Sequence, residues 1–73
     1  MSATARLELT ARQIAVGEAI RQGKANKQIA YELDMRESTV KVHIRNIMKK
    51  LNAKNRTEVA VKIEEFLRAP ANS

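Results

Sequence analysis

The chain has no cysteine, which excludes both a disulfide framework and a thiolate metal site. It has one Phe, one Tyr and no Trp, so any core must be aliphatic. No apolar run approaches the roughly 20 residues that would span a bilayer. Met1 to Leu9 holds no apolar stretch of the kind a secretory leader needs, so a cytoplasmic location is expected. There is a single His, and no cluster of carboxylates sits in an apolar setting, so an enzyme is not expected. Glu64 and Glu65 are adjacent and cannot share one helix face. No catalytic residue, cofactor or metal is assigned. The 73 residues allow one domain.

What the chain does have is positive charge, and it is unevenly spread. Residues 1–37 carry six Lys/Arg against five Asp/Glu, and residues 38–73 carry eight against three. Between Ser38 and Arg56 stand Lys41, Arg45, Lys49, Lys50, Lys54 and Arg56, with no acid among them. Like charges so close repel one another, which points to a polyanionic partner.

Caps and periodicity predict an all-α chain of four helices. Thr10-Ala11-Arg12-Gln13 has the form of a capping box, with Leu9 and Ile14 as a hydrophobic staple. The first helix then runs to about Gln22, where Gly23 supplies the left-handed residue beyond its end. Val16, Ala19 and Ile20 form its inward stripe. Gly17 is a weak point in mid-helix and a place where another backbone could come close. The second helix is short, with Asn26 as N-cap and Ile29, Ala30 and Leu33 on its apolar face. Asp34 to Glu37 reads as a turn. The third helix runs from about Glu37 or Ser38 to Leu51, followed by a loop at Asn52-Ala53-Lys54. The fourth opens on an Asx capping box, Asn55-Arg56-Thr57-Glu58, and continues to Arg68. Val59, Ile63, Phe66 and Leu67 make its buried stripe. Pro70 stops any helix. The expected organisation is a flexible segment at 1–6, one domain at 7–68 and a frayed tail at 69–73.

The third helix carries the functional signal. At about 100° per residue, Val40, Ile44, Ile47 and Leu51 fall within about 40° of one direction. Lys41, Arg45, Ser38, Lys49 and Val42 lie between about 100° and 200° from Val40, with Asn46 and Thr39 flanking them. His43 falls between the two faces, as a boundary residue. An ordinary solvated helix also has a charged outer face, but it mixes signs to gain i,i+4 pairs. This face has no acid. Val42 is apolar in its middle, where it can meet a thymine methyl. Ser38, Thr39, Arg45 and Asn46 are donors suited to phosphates or base edges. Two helices crossing through a short turn need a small residue at the contact, and Ala30 fits that place, with Val40 as the anchor ten residues on. In such a helix-turn-helix, Asn26 and Lys27 at the start of the second helix are set to hold a phosphate. A membrane-surface role fits poorly, because the apolar stripe of the third helix is narrow.

Leu9-Thr10-Ala11-Arg12-Gln13, Gly23, Asn26-Lys27-Gln28-Ile29-Ala30, Ser38-Thr39-Val40-Lys41-Val42-His43 and Lys49 through Glu58 together resemble the LuxR-type (NarL/FixJ/GerE-like) DNA-binding domain over residues 7 to 68. The resemblance implies a compact four-helix domain whose second and third helices form the helix-turn-helix and whose fourth can form a dimer contact. It also implies that Lys41, Val42 and Arg45 face base edges and that Asn26, Lys27, Thr39 and Arg56 lie near the DNA backbone. Ser38, Asn46 and Lys49 join the backbone group from their place on the basic face. Val61, about 200° from Val59, points away from the core. With Glu65 and Arg68 it is the candidate dimer contact.

Four positions depart from the family pattern. Gln13 replaces the usual Glu but can still close the capping box. Gly17 replaces a larger apolar residue, which would thin the core. Ile14 stands at a usually polar position, as a staple or a contact for a partner. Arg36 replaces the Ser or Thr that caps the third helix.

The expected function is sequence-specific binding of double-stranded DNA by a bacterial transcriptional regulator in the nucleoid, as a homodimer on a two-fold site. RNA polymerase and a larger LuxR-type regulator are the protein partners such a role admits. The competing reading is an interaction module that pairs with a larger LuxR-type regulator and modulates it, with Ile14 and Val61 as its exposed contacts. These residues hold the DNA-binding unit alone, as in the free-standing GerE type, and a piece of a longer regulator would look the same.

Overall fold

A computed structural model describes residues 9–68. The expected flexible segment at 1–6 and frayed tail at 69–73, with Pro70, lie outside the described residues. The chain forms four helices: α1 (Ala11–Arg21), α2 (Asn26–Glu32), α3 (Glu37–Leu51) and α4 (Arg56–Arg68). No strand occurs among the described residues. The helices pack as a compact globule in which α1 lies against α4 and α3, and α3 against α2.

The start of α1 is fixed locally. Gln13 N–H donates to Thr10 Oγ1 at 3.1 Å, and Thr10 N–H donates to Gln13 Oε1 at 3.0 Å. The glutamine therefore closes the capping box in both directions. Leu9 is buried, and Ile14 is half-buried against the core. Ile14 thus serves as the staple and is not an exposed partner contact.

Three helices end in the same way. A left-handed residue follows the last turn (Gly23, Asp34 and Asn52), and the next N–H reaches back five residues. The bonds run from Lys24 to Ala19 O, Met35 to Ala30 O and Ala53 to Met48 O, at 3.1, 2.9 and 2.8 Å. This is the Schellman arrangement, which satisfies carbonyls that the helix itself leaves open. The second of these ends makes the turn between α2 and α3. Arg12 secures it from outside, donating from Nη1 to the Leu33 carbonyl at 3.1 Å.

The core is built on six fully buried, β-branched side chains: Val16, Ile29, Val40, Ile47, Val59 and Ile63. Such side chains are stiff at χ1 and lose little rotamer freedom on burial. Ala30 is buried at the α2–α3 contact, as the helix-turn-helix requires.

Several expectations are corrected. Asn26 is not the cap of α2. Ala25 holds that position with extended backbone and no side-chain bond, while Asn26 is the first helical residue. Its side chain is taken by Arg56, as described below. Leu67 is 46% exposed and does not join the buried stripe of α4, although Phe66 packs partly against the core. Gly17 neither thins the core nor admits a backbone. A Cβ there would lie 2.5 Å from Ile63 Cδ1, so the isoleucine side chain occupies the space. At the start of α4, Glu58 N–H donates to Asn55 Oδ1 at 2.9 Å, but the Glu58 carboxylate accepts from Lys54 N–H, one residue before the expected partner.

Candidate nucleic-acid interface

The outward face of α3 follows directly from its buried one. Val40 and Ile47 are fully buried, and Ile44, Met48 and Leu51 pack partly against the core. The opposite side therefore faces solvent. Lys41, Val42, Arg45, Ser38, Thr39 and Lys49 are all exposed, with Val42 at 45%. Asn46 is half-buried at the edge. The acid of α3 is Glu37, exposed in its first turn about 40° from Lys41, outside the sector of about 100° to 200° that the basic residues occupy. Arg36 occupies the N-cap without a side-chain bond, leaving the first amides of α3 uncapped by it. His43 is half-buried at the border between the faces, and its Nδ1 is buried without a hydrogen-bond partner.

Two backbone candidates far apart in sequence are brought together. Arg56 Nη1 donates to Asn26 Oδ1 at 2.6 Å, and Arg56 Nη2 donates to the Lys24 carbonyl at 2.6 Å. The first turn of α4 is thereby clamped to the start of α2. Lys27 is exposed beside this clamp. Lys50, at the far end of α3, donates from Nζ to Gln13 Oε1 at 3.2 Å and so also binds α3 to α1.

Two acids elsewhere on the domain are held by neighbours. Glu32 accepts from Lys24 Nζ and from Gln28 Nε2, each at 2.6 Å. The bonds to Lys24 and Gln28 lower its carboxyl below the ordinary value. Glu18 pairs with Arg21 through two bonds and is lowered chiefly by them, while Arg21 is raised in return.

The dimer candidates divide. Val61, 51% exposed, and Glu65 line one hollow on α4 with Thr57, Glu58 and Lys62. Arg68 bonds Glu64 at 2.9 Å and lines a different hollow with Glu18, Arg21 and Leu67. Among the described residues, no group of three or more His, Cys, Asp or Glu is gathered as a metal site would need. No described helix is long and apolar enough to cross a membrane.

Two features were missed by sequence reasoning. One is the Asn26–Arg56 clamp. The other is Tyr31, which is 85% exposed on the outer side of α2. Helical spacing could have located Tyr31, since it lies about 200° from the buried Ile29. No local pattern could have paired residues 26 and 56.

Comparison with known proteins finds a family and several relatives. The family of bacterial regulatory proteins, luxR family, matches residues 7–63. The chain is 50% identical over 50 residues to the glycerol metabolism activator of Pseudomonas putida, covering 68% of this chain and 23% of that protein. It is 45% identical over 58 residues to the nitrate/nitrite response regulator protein NarL of Escherichia coli K12, covering 80% and 27%. With the HTH-type transcriptional regulator MalT of Vibrio campbellii it shares 48% over 59 residues, covering 81% and 6%. The chain thus spans about a quarter or less of these relatives.

Proposed function

Since the chain belongs to the luxR family of bacterial regulatory proteins, we propose that it binds double-stranded DNA sequence-specifically as a transcriptional regulator, with α3 in the major groove. The observation that carries this reading is the exposed, acid-free face of α3 opposite the fully buried Val40 and Ile47. Lys41 and Arg45 offer donors to the acceptors of guanine, and Val42 offers an apolar contact to a thymine methyl. Ser38, Thr39, Asn46 and Lys49 surround them with phosphate contacts that fix the register. Lys27 supplies a further cation. Arg56 presents its remaining N–H groups to a phosphate while holding Asn26 through its acceptor oxygen, which leaves the Asn26 amide hydrogens for the same strand.

The domain acts as a homodimer through α4, addressing two half-sites about ten base pairs apart between centres. Val61 and Glu65 support that arrangement by sharing one exposed hollow. The competing interaction-module reading keeps Val61 as a contact but loses Ile14, which is packed against the core.

A randomised-site selection with the purified chain tests the proposal. Enrichment of a defined duplex with two-fold related halves is the expected result. Recovery of no preferred sequence, with no duplex retained in dilute buffer, would overturn it.

A further inference from the structure

The chain has a single tyrosine, and it is almost fully exposed. Tyr31 stands one helical turn after Lys27, so both project from the same outer side of α2. Among the described residues, the phenol hydroxyl has no hydrogen-bond partner. An isolated exposed aromatic needs no explanation by itself. What is unusual here is its setting.

Tyr31 lines two hollows. The first, of about 420 Å³, is lined by Ala25, Lys27, Gln28 and Tyr31. All three of its polar side chains can donate a hydrogen bond, and none is an acid. Glu32, the next residue of α2 and not part of this lining, is already bonded to Lys24 and Gln28. The second hollow is lined by Ala30, Tyr31, Asp34, Met35 and Arg36. There the Asp34 carboxylate offsets the Arg36 guanidinium, whereas the Lys27 charge in the first hollow is not opposed by an acid in the lining, which makes the second the poorer place for an anion. The asymmetry favours an anion on the Lys27 side of the ring.

We propose that Tyr31 is a DNA-backbone contact, its hydroxyl donating to a phosphodiester held in the hollow with Lys27 while its ring covers the adjoining sugar. The assignment rests on the DNA-binding reading above and adds to it a neutral contact on α2, outside the basic face of α3. A tyrosine hydroxyl on a phosphate orients the protein without reading a base. It releases no counterion, because it carries no charge to neutralise the phosphate.

That difference provides the test. The full chain and its Tyr31→Phe, Tyr31→Ala and Lys27→Ala variants are titrated by fluorescence anisotropy against the duplex recovered by selection and against an unrelated duplex, over a series of salt concentrations. Tyr31→Phe should weaken both duplexes equally, by about tenfold or more, the loss expected for one hydrogen bond to a charged acceptor. Its dependence on salt should match that of the unaltered chain. Tyr31→Ala should weaken both further. Lys27→Ala should instead lower the slope of log K against log salt by about one.

Undiminished binding by both tyrosine variants overturns the assignment alone. So does a loss confined to the selected duplex, which would mark a base contact. Normal binding with lost transcription would assign Tyr31 to a protein partner and overturn it too. Failure of the unaltered chain to bind either duplex overturns the DNA-binding reading itself, and this contact with it. Tyr31 is outside the core, so circular dichroism of the variants should be unchanged.

Discussion

Arg56 and Asn26 are joined by a 2.6 Å hydrogen bond across thirty residues of chain, and the same guanidinium donates to the Lys24 carbonyl. A residue on the proposed DNA surface is therefore also a structural clamp. Replacing it with alanine leaves two partly buried acceptors without a donor, at an expected cost of about 1–3 kcal/mol in stability. Arg56→Lys separates the two roles. Lysine keeps the charge but not the planar fork that meets two acceptors at once. Urea denaturation should show lowered stability for both variants, while the salt slope of DNA binding should fall for the alanine variant only. A lysine variant as stable as the unaltered chain would show that the clamp contributes charge and not geometry.

Arg45 and Lys41 carry the base-reading proposal. Each is exposed on α3 with the fully buried Val40 and Ile47 behind it. Arg45→Ala should cost about 1–3 kcal/mol at the selected site and relax its base preference. Binding to unrelated duplexes should weaken much less than binding to the selected one. The check is anisotropy on the selected duplex and on single-base variants of it. If the double replacement of Lys41 and Arg45 left binding to the selected duplex intact, α3 would not be the helix in the groove.

Local chemistry explains which features were legible in advance. The capping box at Thr10 and Gln13, the left-handed Gly23 and the 3.6-residue stripes of α1 and α3 depend on residues within one or two turns, and the structure contains all of them. The basic face of α3 was legible for the same reason. Asn26 was not, because asparagine is a good cap and only Arg56, distant in sequence, diverts its side chain. Leu67 lies about 80° from Val59 and so belongs to the stripe by angle. In space it stands beside Glu18 and Arg21 at the last turn of α1, where that helix ends and covers it no further. Gly17 was read as a gap because its filler, Ile63, comes from another helix.

That filler leads to a packing prediction. Alanine at position 17 would gain about 1 kcal/mol of helix propensity. Its Cβ would stand 2.5 Å from Ile63 Cδ1 and 2.7 Å from Cγ1. Ile63 is fully buried and has little room to withdraw. Overpacking of this kind costs about 1–3 kcal/mol, which outweighs the helix gain. Gly17→Ala should therefore lower the thermal midpoint. Ile63→Val should cost less in the Gly17→Ala background than in the unaltered chain, because it removes the nearest clashing carbon. Additive losses would mean that the two sites do not compete for the same space.

The lowered carboxyls of Glu32 and Glu18 make stability depend on pH. A group whose pKa is depressed in the folded chain stabilises the fold above its ordinary value and loses that contribution as pH falls through the folded value. The ordinary value is 4.5, so the loss should begin there and continue downward. Glu32 is exposed and Glu18 half-exposed, and salt should weaken the effect. Urea midpoints measured from neutral pH into the acid range should fall below that point. Lys24→Met, which removes the ammonium that bonds Glu32, should flatten the acid limb. An acid limb unchanged by that substitution would assign the dependence to other carboxylates.

Val61 offers the test of assembly. It is half-exposed on α4, and Glu65, one turn on, lines the same hollow. A valine here contributes nothing to the core, which α4 supplies through Val59 and Ile63. If a second copy covers it, a charge at its centre must be desolvated without a partner, at a cost of several kcal/mol. Val61→Glu should then shift sedimentation toward the monomer while leaving the helical circular dichroism intact. Binding to the two-fold duplex should weaken, and binding to an isolated half-site should not, since α3 is untouched. Arg68→Ala should have the smaller effect, because Arg68 bonds Glu64 and lines a separate hollow. A Val61→Glu chain that sediments as the unaltered protein does and keeps full affinity for the two-fold duplex would remove α4 from the dimer contact.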